Sequence, residues 1–335
     1  MKLHPKLREI LNTHGEIKSY EYNMPLFITG CMRSGTTLLH NSLSNHPQLL
    51  KIGFELNKAW NDIGGAPILK ECLYRNEKDV DPEYIYHMTN YFYDFIKENK
   101  TLKRQLMRAN ELRKSKIGRV SYDWDNIIPV NKSPHFMNKI KYIGNIFPES
   151  KIIMINRDIF AHSASQKVHF DNAYRRKRLM KYFPDDEKNC WTDVSHKEFL
   201  KNKYPSGQLY PNNFRLIPKM WIKLNFLAIN ELMELGGGRF LFVKYEDLLD
   251  NKEKEYRRIF DFLSLKEECK AAEEKIIARD ITHKNTTTRG NPMKKWKKQL
   301  QPEEIEAIEE VINEDVEKFN FINNAISYQQ RDLLQ

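Results

Sequence analysis

The chain has 335 residues, 40% of them hydrophobic and 30% charged, with a formal net charge of +10. That length suits one elaborated α/β domain with a sizeable core, and no run approaches the roughly 20 apolar residues that span a bilayer. Its four cysteines lie far apart without a CxxC pair and its ten histidines form no HxxxH or HxH pair, so neither a zinc site nor a disulfide framework is signalled.

The first 16 residues lack the apolar stretch of a signal peptide, and the expectation is a cytoplasmic protein with reduced thiols and no membrane span. "PLFITG" (25–30) predicts a short buried strand, and Leu38, Leu39 and Leu43 predict a helix over 36–47. Residues 70–125 read as largely helical and charged. "KIIMIN" (151–156) predicts a second strand, followed by a helix from "RDIFAHSASQ". Residues 170–215, rich in aromatics, proline and charge, are either an acceptor-binding lid or a disordered insertion. Within them "YRRKRLMKY" (174–182) either receives an anionic partner or is a solvated helix. "RFLFVKYEDL" (239–248) predicts a third strand after the turn "GGG" (236–238), and residues 253–263 an amphipathic helix. Residues 301–319 read as one capped acidic helix. Strands alternating with helices imply a parallel sheet covered on both faces.

The chemistry concentrates in "GCMRSGTT" (30–37). Gly30, four residues, Gly35 and a hydroxyl pair repeat the frame of a phosphate loop, but Thr36 stands where a Walker loop carries lysine. Backbone N–H groups there and the start of the following helix bind an anion; Ser34, Thr36 and Thr37 add hydroxyls, and Arg33 adds a guanidinium fork.

"RSGTT" after a short strand resembles the 5′-phosphosulfate loop of sulfotransferases that use 3′-phosphoadenosine 5′-phosphosulfate (PAPS), a donor with no β/γ-phosphate pair for a Walker lysine to hold. "IMINRDIFAHSAS" resembles that superfamily's 3′-phosphate motif, which assigns Arg157 and Ser165. "LFVKYEDLL" and "TRGNPMKKW" are similar to two further cofactor segments, offering Tyr245, either packed on the adenine or a core tyrosine, and Arg289, Gly290 and Lys295. "PQLLKIGFELNKAW" and "VNKSPHF" resemble the tyrosylprotein and carbohydrate branches, which implies Glu55 as general base with Arg33 and Lys132 as electrostatic partners; in the cytosolic small-molecule branch a His two residues after a similar lysine is the base, which makes His135, three residues after Lys132, the alternative. The resemblance implies a P-loop-kinase-like α/β fold of about five parallel strands flanked by helices, one domain over 1–335. Its core would span about 23–320, with a helical or irregular acceptor-binding insertion at 165–220. It further implies in-line sulfuryl transfer from PAPS, without a metal, to a hydroxyl on a carbohydrate, a tyrosine-containing peptide or another metabolite, with no nucleic-acid partner. The rival readings are a P-loop kinase or NTPase, which needs the lysine that Thr36 displaces, and a non-catalytic anion- or nucleic-acid-binding protein, suggested by net charge.

Overall fold

A computed structural model describes residues 24–68, 72–101, 120–194, 209–279 and 293–332. The strands are β1 (Leu26–Thr29), β2 (Leu49–Lys51), β3 (Ile128–Lys132), β4 (Lys151–Asn156), β5 (Met180–Tyr182), β6 (Thr192–Val194) and β7 (Phe240–Lys244). Among the described residues, five of them form one sheet of order β2-β3-β1-β4-β7, parallel at every pairing, and β5 and β6 form an antiparallel pair. Around the sheet lie α1 (Thr36–Leu43), α2 (Asn57–Asp62), α3 (Pro82–Asn99), α4 (Ile140–Ile146), α5 (Ile159–Arg175), α6 (Leu216–Leu235), α7 (Asp247–Asp250), α8 (Lys252–Leu263), α9 (Lys270–Ala278), α10 (Trp296–Gln299), α11 (Pro302–Glu314) and α12 (Val316–Asp332).

Strands buried on both faces need apolar side chains at every position, which is why "LFIT" and "IIMIN" read as continuous runs. Alternation divides them between two cores. Leu26, Ile28, Ile153 and Ile155 face α1, α8 and α9, where Leu39, Leu43, Ile259 and Ile276 meet them. Phe27, Ile152 and Met154 face the other way, toward α3–α6, with Phe27 set among Trp60, Phe92, Phe136 and Phe147. Helix α1 after β1 thus covers one face, and α5 after β4 covers the opposite one. A crevice opens between the carboxyl ends of β1 and β4, where the chain order reverses, and such a switch point is where open α/β sheets hold ligands.

Three expectations change. Residues 301–319 are two helices, because α11, boxed at its start by Gln301 and Glu304, stops at Asp315, and α12 begins at Val316. The basic stretch is not one helix: α5 ends at Arg175, Lys177 turns through φ 52°, and β5 begins at Met180. The hairpin β5–β6 is not a disordered insertion, since Met180, Tyr182, Phe183, Trp191 and Val194 are buried in the core; residues 195–208 lie outside the described residues. Of the charged segment 70–125, the long helix is α3, started by the Asp81 side chain on the Glu83 N–H and by Pro82; residues 102–119 lie outside the described residues.

At the far edge of the sheet, Gln329 of α12 accepts from the Phe242 N–H (2.6 Å) and donates to the Phe240 carbonyl (2.9 Å). Arg258 of α8 donates to the Phe242 carbonyl at 2.6 Å. Side chains here stand in for a further strand.

Candidate active site

The loop between β1 and α1 takes three backbone angles that L-residues avoid: φ 146° at Gly30, 73° at Arg33 and 102° at Gly35. Glycine is obligatory at two of them for a second reason. A Cβ on Gly30 would lie 2.2 Å from the Ile155 carbonyl oxygen, and one on Gly35 would lie 2.5 Å from the Tyr245 ring. Helix α1 starts with no side-chain cap and no acidic residue in its first turn, so its first N–H groups stay available to an anion. Ser34 Oγ is buried and has no hydrogen-bond partner among the described residues. Thr36 is buried and Thr37 exposed at the helix start.

Strand β4 ends beside this loop and delivers Arg157. Its Nη1 donates to the Arg33 carbonyl at 3.0 Å, and its guanidinium lies over the Tyr245 ring at 4.6 Å. Asp158 caps α5 by accepting from the Ala161 N–H at 2.8 Å, and two turns into the helix Ser165 Oγ accepts from Arg33 Nε at 3.4 Å. The glycine loop and the Arg157/Ser165 segment, 124 to 132 residues apart in sequence, therefore meet in one crevice. Lys295, just before α10, joins them.

Electrostatics marks the crevice as a polyanion site. Burial lowers the pKa of Arg33, and the neighbouring Arg157 lowers it further. Burial likewise lowers Arg157, against the pull of Tyr245, Glu246 and Asp158. Lys295 is lowered by burial and then by both arginines. Arg157 thus depresses Arg33, and both arginines depress Lys295, so a ligand with several negative charges would stabilise the cluster. The open helix start, the unsatisfied Ser34 hydroxyl and these cations fit a donor carrying phosphate and phosphosulfate groups.

A second cluster lies at the carboxyl end of β3. Lys132, with a 2% exposed side chain, donates to Glu55 Oε1 at 2.8 Å, while Glu55 remains 20% open to solvent. Glu55 Oε2 also accepts from Asn57 Nδ2 at 3.3 Å. The carboxylate is presented by a tight turn in which Gly53 (φ 57°) and Leu56 (φ 51°) are left-handed. Asn131 ties that turn to the sheet: it accepts from Trp60 Nε1 at 3.1 Å and donates to the Ile52 carbonyl at 3.2 Å. Burial lowers the Lys132 pKa, and Glu55 pulls it back up. The His135 ring is buried edge-on against Trp191 at 5.2 Å, its Nδ1 has no hydrogen-bond partner among the described residues, and burial with Lys181, Lys139 and Lys132 nearby holds it neutral.

Of the other expected residues, Tyr245 is 3% exposed and backs both Gly35 and Arg157, so its ring is a wall of the crevice. Arg289 and Gly290 lie outside the described residues. Sequence reading missed three residues that shape the loop from behind. His162 Nε2–H donates to the Met32 carbonyl at 3.0 Å, its pKa brought down to about 3 by burial and by Arg157. Trp221 Nε1 donates to the Arg157 carbonyl at 3.0 Å, and Asn225 links Asn156 (2.9 Å) to Cys31 Sγ (3.3 Å). Only Asn225, a polar residue on the apolar helix α6, gives a hint of this set; His162 lies on α5.

A sequence model described as the Sulfotransferase family matches residues 25–214, which hold β1 to β6 and Arg33, Glu55, Lys132, Arg157 and Ser165, while Tyr245 and Lys295 lie beyond it. The chain is similar to "Protein-tyrosine sulfotransferase 2" of Gallus gallus, 23% identical over 276 residues that make up 78% of this chain and 58% of that protein. It thus spans little more than half of that relative's length. Similar solved structures include a sulfotransferase from Alicyclobacillus acidocaldarius (12% identity, 92% of this chain and 99% of that one, TM-score 0.47). Another is mouse sulfotransferase SULT7A1 complexed with PAP (13% identity, 97% and 94%, TM-score 0.41). With more than half of its length matched, including the loop, the Arg157 strand and the Glu55–Lys132 pair, this chain belongs to the Sulfotransferase family of transferase enzymes.

Proposed function

We propose that the protein moves a sulfuryl group from PAPS to an acceptor hydroxyl by in-line displacement. The observation that carries this reading is the convergence of Arg33, Arg157 and Lys295 on one crevice beside an uncapped helix start, with a carboxylate–lysine pair at the adjoining strand end. The loop from Arg33 to Thr37 holds the 5′-phosphosulfate. Arg157 and Ser165 hold the 3′-phosphate, and Lys295 closes on the same donor. Tyr245 keeps Arg157 and the loop in register.

Glu55 takes the proton of the acceptor hydroxyl as its oxygen bonds to sulfur. Lys132 and Arg33 neutralise charge on the transferring group as the sulfur–phosphate oxygen bond breaks and adenosine 3′,5′-bisphosphate (PAP) leaves. A carbohydrate hydroxyl or a protein tyrosine is the proposed acceptor class, the latter supported by the name of the chicken relative. The kinase reading is not kept: Thr36 occupies the place of its lysine.

The test is incubation with PAPS carrying labelled sulfate and with tyrosine-peptide and carbohydrate acceptors. Label should move to an acceptor with stoichiometric release of PAP. Binding of PAP without transfer to any hydroxyl would reduce the protein to an anion binder.

A further inference from the structure

Four large apolar side chains are well exposed among the described residues: Phe54, Leu179, Met233 and Val316. Singly exposed apolar residues are ordinary, so exposure by itself says nothing. Phe54 differs from the other three in place. It immediately precedes Glu55, and its ring, 54% exposed, lies 4.0 Å from Lys132 Nζ, the ammonium that binds the Glu55 carboxylate. Lys51 Nζ approaches the same ring at 5.7 Å. Ring, ammonium and carboxylate therefore form one row at the mouth of the site. Gly53 and Leu56, both left-handed, bracket the pair, and a Cβ on Gly53 would lie 2.5 Å from the Leu56 side chain. Phe54 and Glu55 are thus carried on one tight turn.

The donors around the ring are engaged within the protein, and Asn57 Oδ1, an acceptor without a partner among the described residues, is buried out of reach of solvent. Lys51 Nζ donates to Asn41 Oδ1 at 2.9 Å, Lys132 to Glu55, and Asn57 Nδ2 to Glu55. What the turn offers an incoming molecule is an apolar ring face beside a carboxylate. A cation held near a ring draws on its π density, and a ring so polarised stacks best on an electron-rich partner. An acceptor with several aliphatic hydroxyls would need hydrogen-bond partners that this turn does not offer.

We propose that Phe54 is a specificity-determining residue of the acceptor site: its ring is the platform for a planar aromatic ring that carries the reacting hydroxyl, placing that oxygen at Glu55. The inference rests on the sulfuryl-transfer reading and selects among its acceptors. The test compares wild type, Phe54→Ala and Phe54→Trp at saturating PAPS, using a tyrosine-containing peptide, the same peptide with serine in place of tyrosine, and a free hexose.

Wild type should label the tyrosine peptide in preference to the other two. Phe54→Ala should lower kcat/KM for it by about tenfold, chiefly through KM, and Phe54→Trp should restore it. PAP affinity, measured by calorimetry, should be the same in all three proteins. A tyrosine-peptide KM unmoved in Phe54→Ala overturns the inference, and so does a wild-type preference for serine or hexose; in either case PAP binding and transfer leave the donor reading standing. Absence of both PAP binding and transfer overturns the two together.

Discussion

Gly35 shows how tightly a single position is constrained at this site. Its φ of 102° and the Tyr245 ring 2.5 Å from where a Cβ would stand oppose any side chain there. Gly35→Ala should cost about 1–3 kcal/mol of backbone strain, expressed first in the loop as weaker PAP binding by calorimetry. At Glu55 the expectation is different in kind. Glu55→Gln keeps the shape of the side chain and its acceptance from Lys132 but cannot take a proton. Turnover should fall by about 10²- to 10⁴-fold with PAP affinity retained, and unchanged turnover in a quenched assay would remove Glu55 from the base role. Arg33, Arg157, Glu55 and Lys132 were legible because each belongs to a short segment whose residues stay together in space. His162, Trp221 and Asn225 were not, because their hydrogen bonds to Met32, Arg157 and Cys31 cross 64 to 194 residues of chain. His135 is close to Lys132 in sequence, and the turn through Ser133 and Pro134 sets its ring against Trp191, a contact that no local pattern announces.

Helix α5 is the element that joins the two halves of the crevice. It starts two residues after Arg157, with Asp158 between as its cap, and carries Ser165 to the Arg33 guanidinium, so its N-terminus fixes both contacts. Asp158→Ala removes the cap on the Ala161 N–H and should cost about 1 kcal/mol, read as a lower urea midpoint. The same variant should weaken PAP binding more than an equally destabilising change in α11, because the cap also orients Arg157. Strands β1, β4 and β7 were readable from continuous apolar runs, and their parallel order from the helices between them. The break at Asp315 was not. Acidic and apolar residues keep helical spacing through it, and the switch depends on Asp315 ending one helix while Lys318 of the next bonds its carboxylate at 2.6 Å. The hairpin β5–β6 was hidden for a similar reason: its strands are three residues each, and burial of Trp191 and Phe183 against distant elements, not local pattern, makes them part of the core.

Across the whole molecule, buried histidines set the response to acid. Burial brings His40 and His162 down to about 3 and His46 to about 4. An unfolded histidine titrates near 6.5, so below that pH the unfolded chain binds more protons and stability falls as pH drops, by up to about 1.4 kcal/mol per pH unit for each histidine. Glu231, Glu246 and Glu273, all raised by burial, take protons more readily folded than unfolded and offset part of the loss near the carboxylate range. Urea midpoints should therefore decline between pH 7 and 5.5, and a flat profile would contradict the neutral, buried state of these rings. The amide of Gln329 has a consequence of its own. By impersonating the peptide group of an absent neighbour, it withholds from other molecules the row of donors and acceptors on which a foreign strand would crystallise. Gln329→Ala should leave the crevice and its chemistry untouched, yet light scattering should reveal self-association at concentrations where the native chain stays monodisperse: the C-terminal helix is a guard against polymerisation as much as a piece of the fold.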